Sequence, residues 1–232
     1  MDKFSFLKQY RKTIEVVSEK DLFSIEEINM PKEWKEIFNE TDKDRKKDKL
    51  IALWNSVSEK ELSNTISYLK ENLLEFELII DNGQYAVLYS VMSENDEILY
   101  YEGGMPINPS DFSERQEVWS NVPESIKMFY EKLHNGFYYL PSRAMGLVPL
   151  ERITHFEDHE WGIIDELDEP LKINMARTYG FFENGMGGYV AIDLSNCNND
   201  VAILWFTDDT PEYNVNFWDI VDEWIVIGLQ DD

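Results

Sequence analysis

Cysteine is almost missing from this chain: there is one, Cys197, in the polar stretch SNCNND. A lone thiol excludes an intramolecular disulfide, and with no second thiol it does not make a thiolate zinc site. Histidine is nearly as scarce, with three residues. No apolar run approaches the ~20 residues that a helix needs to span a bilayer. The N-terminal MDKFSFLKQYRKTIEVV is charged and amphipathic, without the unbroken apolar stretch of a signal peptide. The expectation is a cytoplasmic protein without a membrane partner.

Positive charge is the other shortage. Against 46 acids stand 21 bases, for a net charge of −25. Such an excess repels nucleic-acid phosphate and anionic lipid and steers cationic macromolecules inward, so no nucleic-acid partner is expected. The imbalance is uneven: residues 1–110 carry 22 acids and 14 bases, whereas 111–232 carry 24 and 7. The strong field therefore belongs to the C-terminal half.

What is present is globular material, 43% hydrophobic and 14% aromatic, which argues against disorder throughout. Phe6, Leu7, Tyr10, Ile14 and Val17 recur at helical spacing, and Pro31 opens a turn carrying Trp34, Ile37 and Phe38. The mixed charges of 39–49 read as a solvated helix face or loop. A helix is predicted over about 58–73, with Ser58 and Glu61 as a capping box and Leu62, Ile66, Leu69 and Leu73 as its apolar stripe. The period then changes to that of strands: 76–80, 85–91 and 97–101 read as a three-stranded meander.

Residues 103–123 mix Gly, Pro and polar residues and read as a connector, with Phe112 and Trp119 packing parts of it down. A boundary is placed near 105, giving a 1–105 α+β region, either separate or part of the same sheet, and a 106–232 domain. Pro123 starts a helix through Ile126, Phe129, Tyr130 and Leu133, stopped by Asn135-Gly136. Strand-like pieces follow at 145–150, 161–164, 177–182, 188–194 and 201–206, joined by connections too short for helical crossovers. A last amphipathic helix, capped by Asn216, buries Phe217, Ile220, Val221, Trp224 and Ile225 and ends near Gly228. The fold class is α+β, an antiparallel sheet packed with helices.

The search for chemistry finds no catalytic set. His155 and His159 lie four apart in HFEDHEW, but a zinc site needs a third ligand, and the segment reads as an acidic loop. His134 ends the 123–133 helix, where a partial positive charge suits the helix dipole. Pairs such as Asp208-Asp209 or Asp165-Glu166 arise freely among 46 acids. The glycines of ENGMGGY precede a strand instead of opening a helix, the wrong order for a phosphate loop. Ser142 and Ser195 lack a nucleophile elbow, and Cys197 lacks a base. No enzyme activity and no cofactor are expected.

One segment stands out. ITHFEDHEWGIIDELDEPL, 153–171, holds seven acids, Glu157, Asp158, Glu160, Asp165, Glu166, Asp168 and Glu169, with no Lys or Arg. Charges this dense are either spread into solvent, aiding solubility only, or neutralised by a partner, with Trp161 as a candidate aromatic anchor; a divalent cation is a third reading.

Four passages resemble the SUKH superfamily, which contains bacterial toxin-immunity proteins and the Smi/Knr type of fungal cell-wall regulators. VPESIKMFYEKLHNGFYYLPS (122–142) looks like the family's early helix, opened by Pro123 and ended by Asn135-Gly136. MGLVPLERITHFED (145–158) is similar to the strand that leads into a variable loop, here the acidic segment. FFENGMGGYVAIDLSNCNNDVAILWFTDD (181–209) resembles the central hairpin, and NFWDIVDEWI (216–225) the closing helix. The resemblance covers roughly 110–232. It implies a SUKH-like C-terminal half with an N-terminal helical and β-meander extension. It further implies an immunity protein that binds and neutralises a cognate basic protein toxin, in this family often a nuclease, without catalysis. A regulatory scaffold of the Smi/Knr kind and a metal-assisted hydrolase using His155 and His159 are the alternatives.

Overall fold

The computed structural model describes residues 3–17, 30–108 and 116–230. Phe112 lies outside them. Strands β1 (Glu15–Val16), β2 (Leu73–Asp81), β3 (Gln84–Met92), β4 (Ile98–Gly104), β5 (Asn135–Tyr139), β6 (Ala144–Leu147), β7 (Thr154–His155), β8 (Thr178–Glu183), β9 (Gly188–Asp193), β10 (Val201–Phe206) and β11 (Glu212–Asn216) form one antiparallel sheet. Its order follows the chain, except that β6 and β7 both pair with β8. The fold is α+β, as expected. Position 105 lies just after β4, and the sheet continues across it, because Tyr101 of β4 pairs with Tyr139 of β5.

Both faces of this sheet are covered, and the period of two in the strands decides what each face receives. On β3, Val87, Tyr89 and Val91 enter the front core while Ala86 and Leu88 face the back. On β10, Ala202 and Leu204 face the front while Ile203 and Trp205 face the back. The front is packed by helices α2 (Lys32–Phe38), α3 (Lys43–Ser58), α4 (Ser63–Asn72), α6 (Glu124–Met128) and α7 (Phe217–Gln230), with α5 (Gln116–Asn121) at the margin through Trp119. Helix α7 lays Phe217, Val221, Ile225 and Leu229 on it, a stripe four residues apart. On the back, α1 (Lys3–Tyr10) covers one end of the sheet through Leu7. No helix among the described residues is long and apolar enough to cross a membrane.

Several expected elements differ. The helix read over 58–73 is split: α3 absorbs the mixed-charge stretch from 43 and ends at Ser58, and α4 begins at Ser63. The Ser58/Glu61 box is not used, since Asp222 of α7 caps α4 from across the fold. Its carboxylate accepts from Asn64 N (3.0 Å), Thr65 N (2.8 Å) and Thr65 Oγ1 (2.7 Å). A buried carboxylate with three donors at a helix N-terminus outcompetes a local exposed cap. Ile14 and Val17 lie beyond α1, which ends at Tyr10. Residues 161–164 make a 3-10 turn over Gly162–Glu166 instead of a strand. Helix α7 runs through Gly228, where a Cβ would stand 2.4 Å from Met145 Cγ and 2.6 Å from the Tyr101 hydroxyl. Gly228 is thus the close-approach point of helix on strand, not a stop.

Candidate functional site

The acidic segment folds as a cap on the back of the sheet, over β9 and β10. It is built from 3-10 turns at Phe156–Asp158, Gly162–Glu166 and Met175–Arg177. Phe156, Trp161 and Ile163 point inward onto Ala191, Ile203 and Trp205. Phe156 and Trp161 rings lie 4.8 Å apart, and Trp161 meets Trp205 edge-on at 5.2 Å and Tyr189 at 5.5 Å. Trp161 Nε1 donates to Phe156 O at 2.8 Å, satisfying the one polar group of the ring. The exit of the cap is pinned by Asp193, whose buried carboxylate accepts from Asn174 N (3.0 Å) and Ser195 N (2.8 Å).

This packing corrects the expectation for Trp161. At 9% exposure it fills the protein's own interior and leaves little aromatic surface for a partner. The seven acids behave oppositely: Glu157, Asp158, Glu160, Asp165, Glu166, Asp168 and Glu169 are all exposed. Glu169 pairs with Lys172 at 3.0 Å, and Asp158 lies 3.1 Å from His155 Nδ1. The other five form no ion pair among the described residues. Apolar residues inward and acids outward make the cap an anionic surface on a firm footing, because the turns at Phe156–Asp158 and Gly162–Glu166 are anchored by the buried Phe156 and Ile163.

The two histidines singled out for metal do not converge. His155 stacks on Tyr179 at 4.8 Å and its Nε2 donates to Ala176 O at 3.1 Å, while His159 lies 5.7 Å from the Trp161 ring. Among the described residues no group of three or more His, Cys, Asp or Glu is placed to hold a metal ion. Cys197 is partly buried, and burial, followed by the negative charge of Asp193, pushes its thiol up, away from thiolate.

His134 also departs from its expected role. It does follow the last helical turn, a widened one over Phe129–Leu133 in which His134 N bonds Phe129 O at 2.9 Å. That turn drops the ring into the core at 0% exposure, among Trp34, Trp54, Phe129 and Phe137. Gly103 on β4 makes the room, since a Cβ there would stand 2.5 Å from the imidazole. Trp54 Nε1 donates to Tyr89 Oη (3.2 Å), Tyr89 donates to His134 Nε2 (2.7 Å), and Nδ1–H donates to Gly104 O (2.9 Å). Burial pushes the imidazole pKa down to about 3, so the ring is neutral and adds no charge to the helix end.

Sequence reasoning missed a second set of charged residues, on the back face between α1 and the turn Leu150–Arg152. Arg11, Asp81, Glu102 and Tyr138 form one network there. The available signal was period two on β4, which puts Glu102 on the same face as Tyr100 and opposite the core residue Tyr101. Comparison of the chain with protein-family models, curated proteins and solved structures finds no match.

Proposed function

We propose that this protein is a non-catalytic binding protein whose acidic cap, Glu157 to Glu169, captures a basic protein partner. The observation that carries the reading is the seven exposed acids on a buried aromatic footing, of which, among the described residues, only Glu169 is paired with a lysine, Lys172 beyond the run. Uncompensated charge held in place raises encounter rates with a cationic surface, and a preformed site loses little entropy on binding. The resemblance to the SUKH superfamily points to a toxin, of the basic nuclease kind, as that partner. An acidic inhibitor suits such a target because the surface that binds phosphate is already cationic.

The test is co-expression of the chain with a toxin encoded beside its gene. The native chain restores growth, and binding weakens steeply as salt rises. The combined change Glu157→Gln, Asp158→Asn, Glu160→Gln and Asp165→Asn loses protection while melting within a few degrees of the native chain, since exposed substitutions change stability by about 0.5 kcal/mol or less each. Failure of the native chain to protect sinks the reading. Full protection by the quadruple variant moves the interface off the cap.

A further inference from the structure

The back face carries a cleft of about 340 Å³ between the end of α1 and the turn at 149–152, within the size range of small-molecule sites. Its floor is the network noted above. Arg11 donates to Asp81 Oδ2 at 3.1 Å, to Glu102 Oε2 at 3.0 Å and to Tyr138 Oη at 3.3 Å, and Tyr138 donates to Glu102 Oε1 at 2.7 Å. These groups hold one another in place, with Arg11 Nε left buried without a partner among the described residues. The rim differs, for the fold engages its charges only in part.

Three rim residues carry that charge. The Arg152 guanidinium lies 5.7 Å from the centre of the Tyr138 ring and donates to Arg143 O at 2.9 Å, leaving only a loose 3.7 Å approach to Glu183. Arg143 is exposed, and its guanidinium makes no hydrogen bond or ion pair among the described residues. It sits at φ +57, a conformation that costs a long side chain energy and recurs at functional positions. Glu151 lines the same cleft and is exposed, its Oε2 accepting from Asn135 Nδ2 at 3.1 Å. Tyr138 and Met105 supply apolar wall.

Charge selects the ligand class. The lining holds three arginines and three carboxylates, a local balance of zero in a chain of −25. A simple anion meets the repulsion of the whole molecule before it reaches the arginines, and a simple cation finds acids over much of the surface and has no use for arginines. A molecule bearing both signs escapes the long-range repulsion and is held at both ends.

We propose that this cleft binds a small zwitterion of the α-amino acid class, its carboxylate on Arg143 and Arg152 and its ammonium on Glu151. Arginine forks suit a carboxylate, and charge-assisted bonds at both ends set the orientation. None of the residues lining the cleft belongs to the acidic cap, and the proposal is independent of protein capture.

Calorimetric titration with each of the twenty common L-amino acids, to about 10 mM, tests it. At least one binds saturably and one-to-one. Its N-acetyl derivative, lacking the ammonium, and its amide, lacking the carboxylate, each bind about tenfold or more weakly, the loss of one charge-assisted contact. Arg143→Gln weakens binding similarly without moving the melting temperature, because that guanidinium supports nothing in the fold, and Glu151→Gln provides a second, independent variant. Absence of saturable binding by every amino acid overturns the proposal. So does equal affinity for the acetylated and amidated analogues, or undiminished binding by both variants.

Discussion

The front and back of one sheet are buried in different ways. The front is covered by regular helices whose apolar stripes join the strands in a single large cluster, with one fully satisfied polar chain, Trp54–Tyr89–His134–Gly104, inside it. The back is covered in two separate patches, α1 at one end and the acidic cap at the other, each a small cluster of its own. Stability therefore concentrates on the front. The back is where charged side chains can be arranged for partners, because little of the fold depends on them.

The contrast breaks most severely at Trp54. Trp54→Ala opens a cavity in the front core and strips the Tyr89 hydroxyl of a donor, for an expected loss of about 3–5 kcal/mol in urea unfolding. A loss under about 1 kcal/mol would mean that the front is not the main store of stability.

On the other side, Trp161→Ala also removes a buried indole, yet its cost is limited by the free energy needed to release the cap. About 1–2 kcal/mol is expected, with lost amide protection confined to 156–175 and the front helices still protected in hydrogen exchange. Deprotection of α3 and α7 together with the cap would show the two faces to be one cooperative unit.

The smallest effect sharpens the contrast through pH. The folded pKa of His134 lies near 3, below the 6.5 of an unfolded imidazole. Between those values the unfolded chain binds a proton that the folded chain does not. The contribution of this group is complete above pH 6.5 and is lost as pH falls toward 3, at on the order of 1 kcal/mol per pH unit. Urea unfolding at pH 7 and pH 5 measures the slope, and His134→Leu removes that share of it. An unchanged slope in the variant would mean that the imidazole is not held neutral.

Much of the fold was legible because it is written in local periods. The meander of β2, β3 and β4 and the hairpin of β9 and β10 follow from apolar pairs at a spacing of two between turns. Leu62, Ile66, Leu69 and Leu73 are buried as their spacing predicts. The acids of 157–169 are exposed as their density predicts. Legibility stops where a partner is remote: Glu102 looked like one more acid until Arg11, 91 residues away, and Tyr138 met it.

Composition and periodicity by themselves determined the fold class, the anionic C-terminal half and the faces of most strands, since each depends on side chains within a few residues of one another. Only the tertiary structure decided that Asp222 and not Ser58 caps α4, that Trp161 turns inward, and that His134 is neutral. In all three cases burial removes water from the competition, so groups distant in sequence set hydrogen bonding and charge in place of the local pattern.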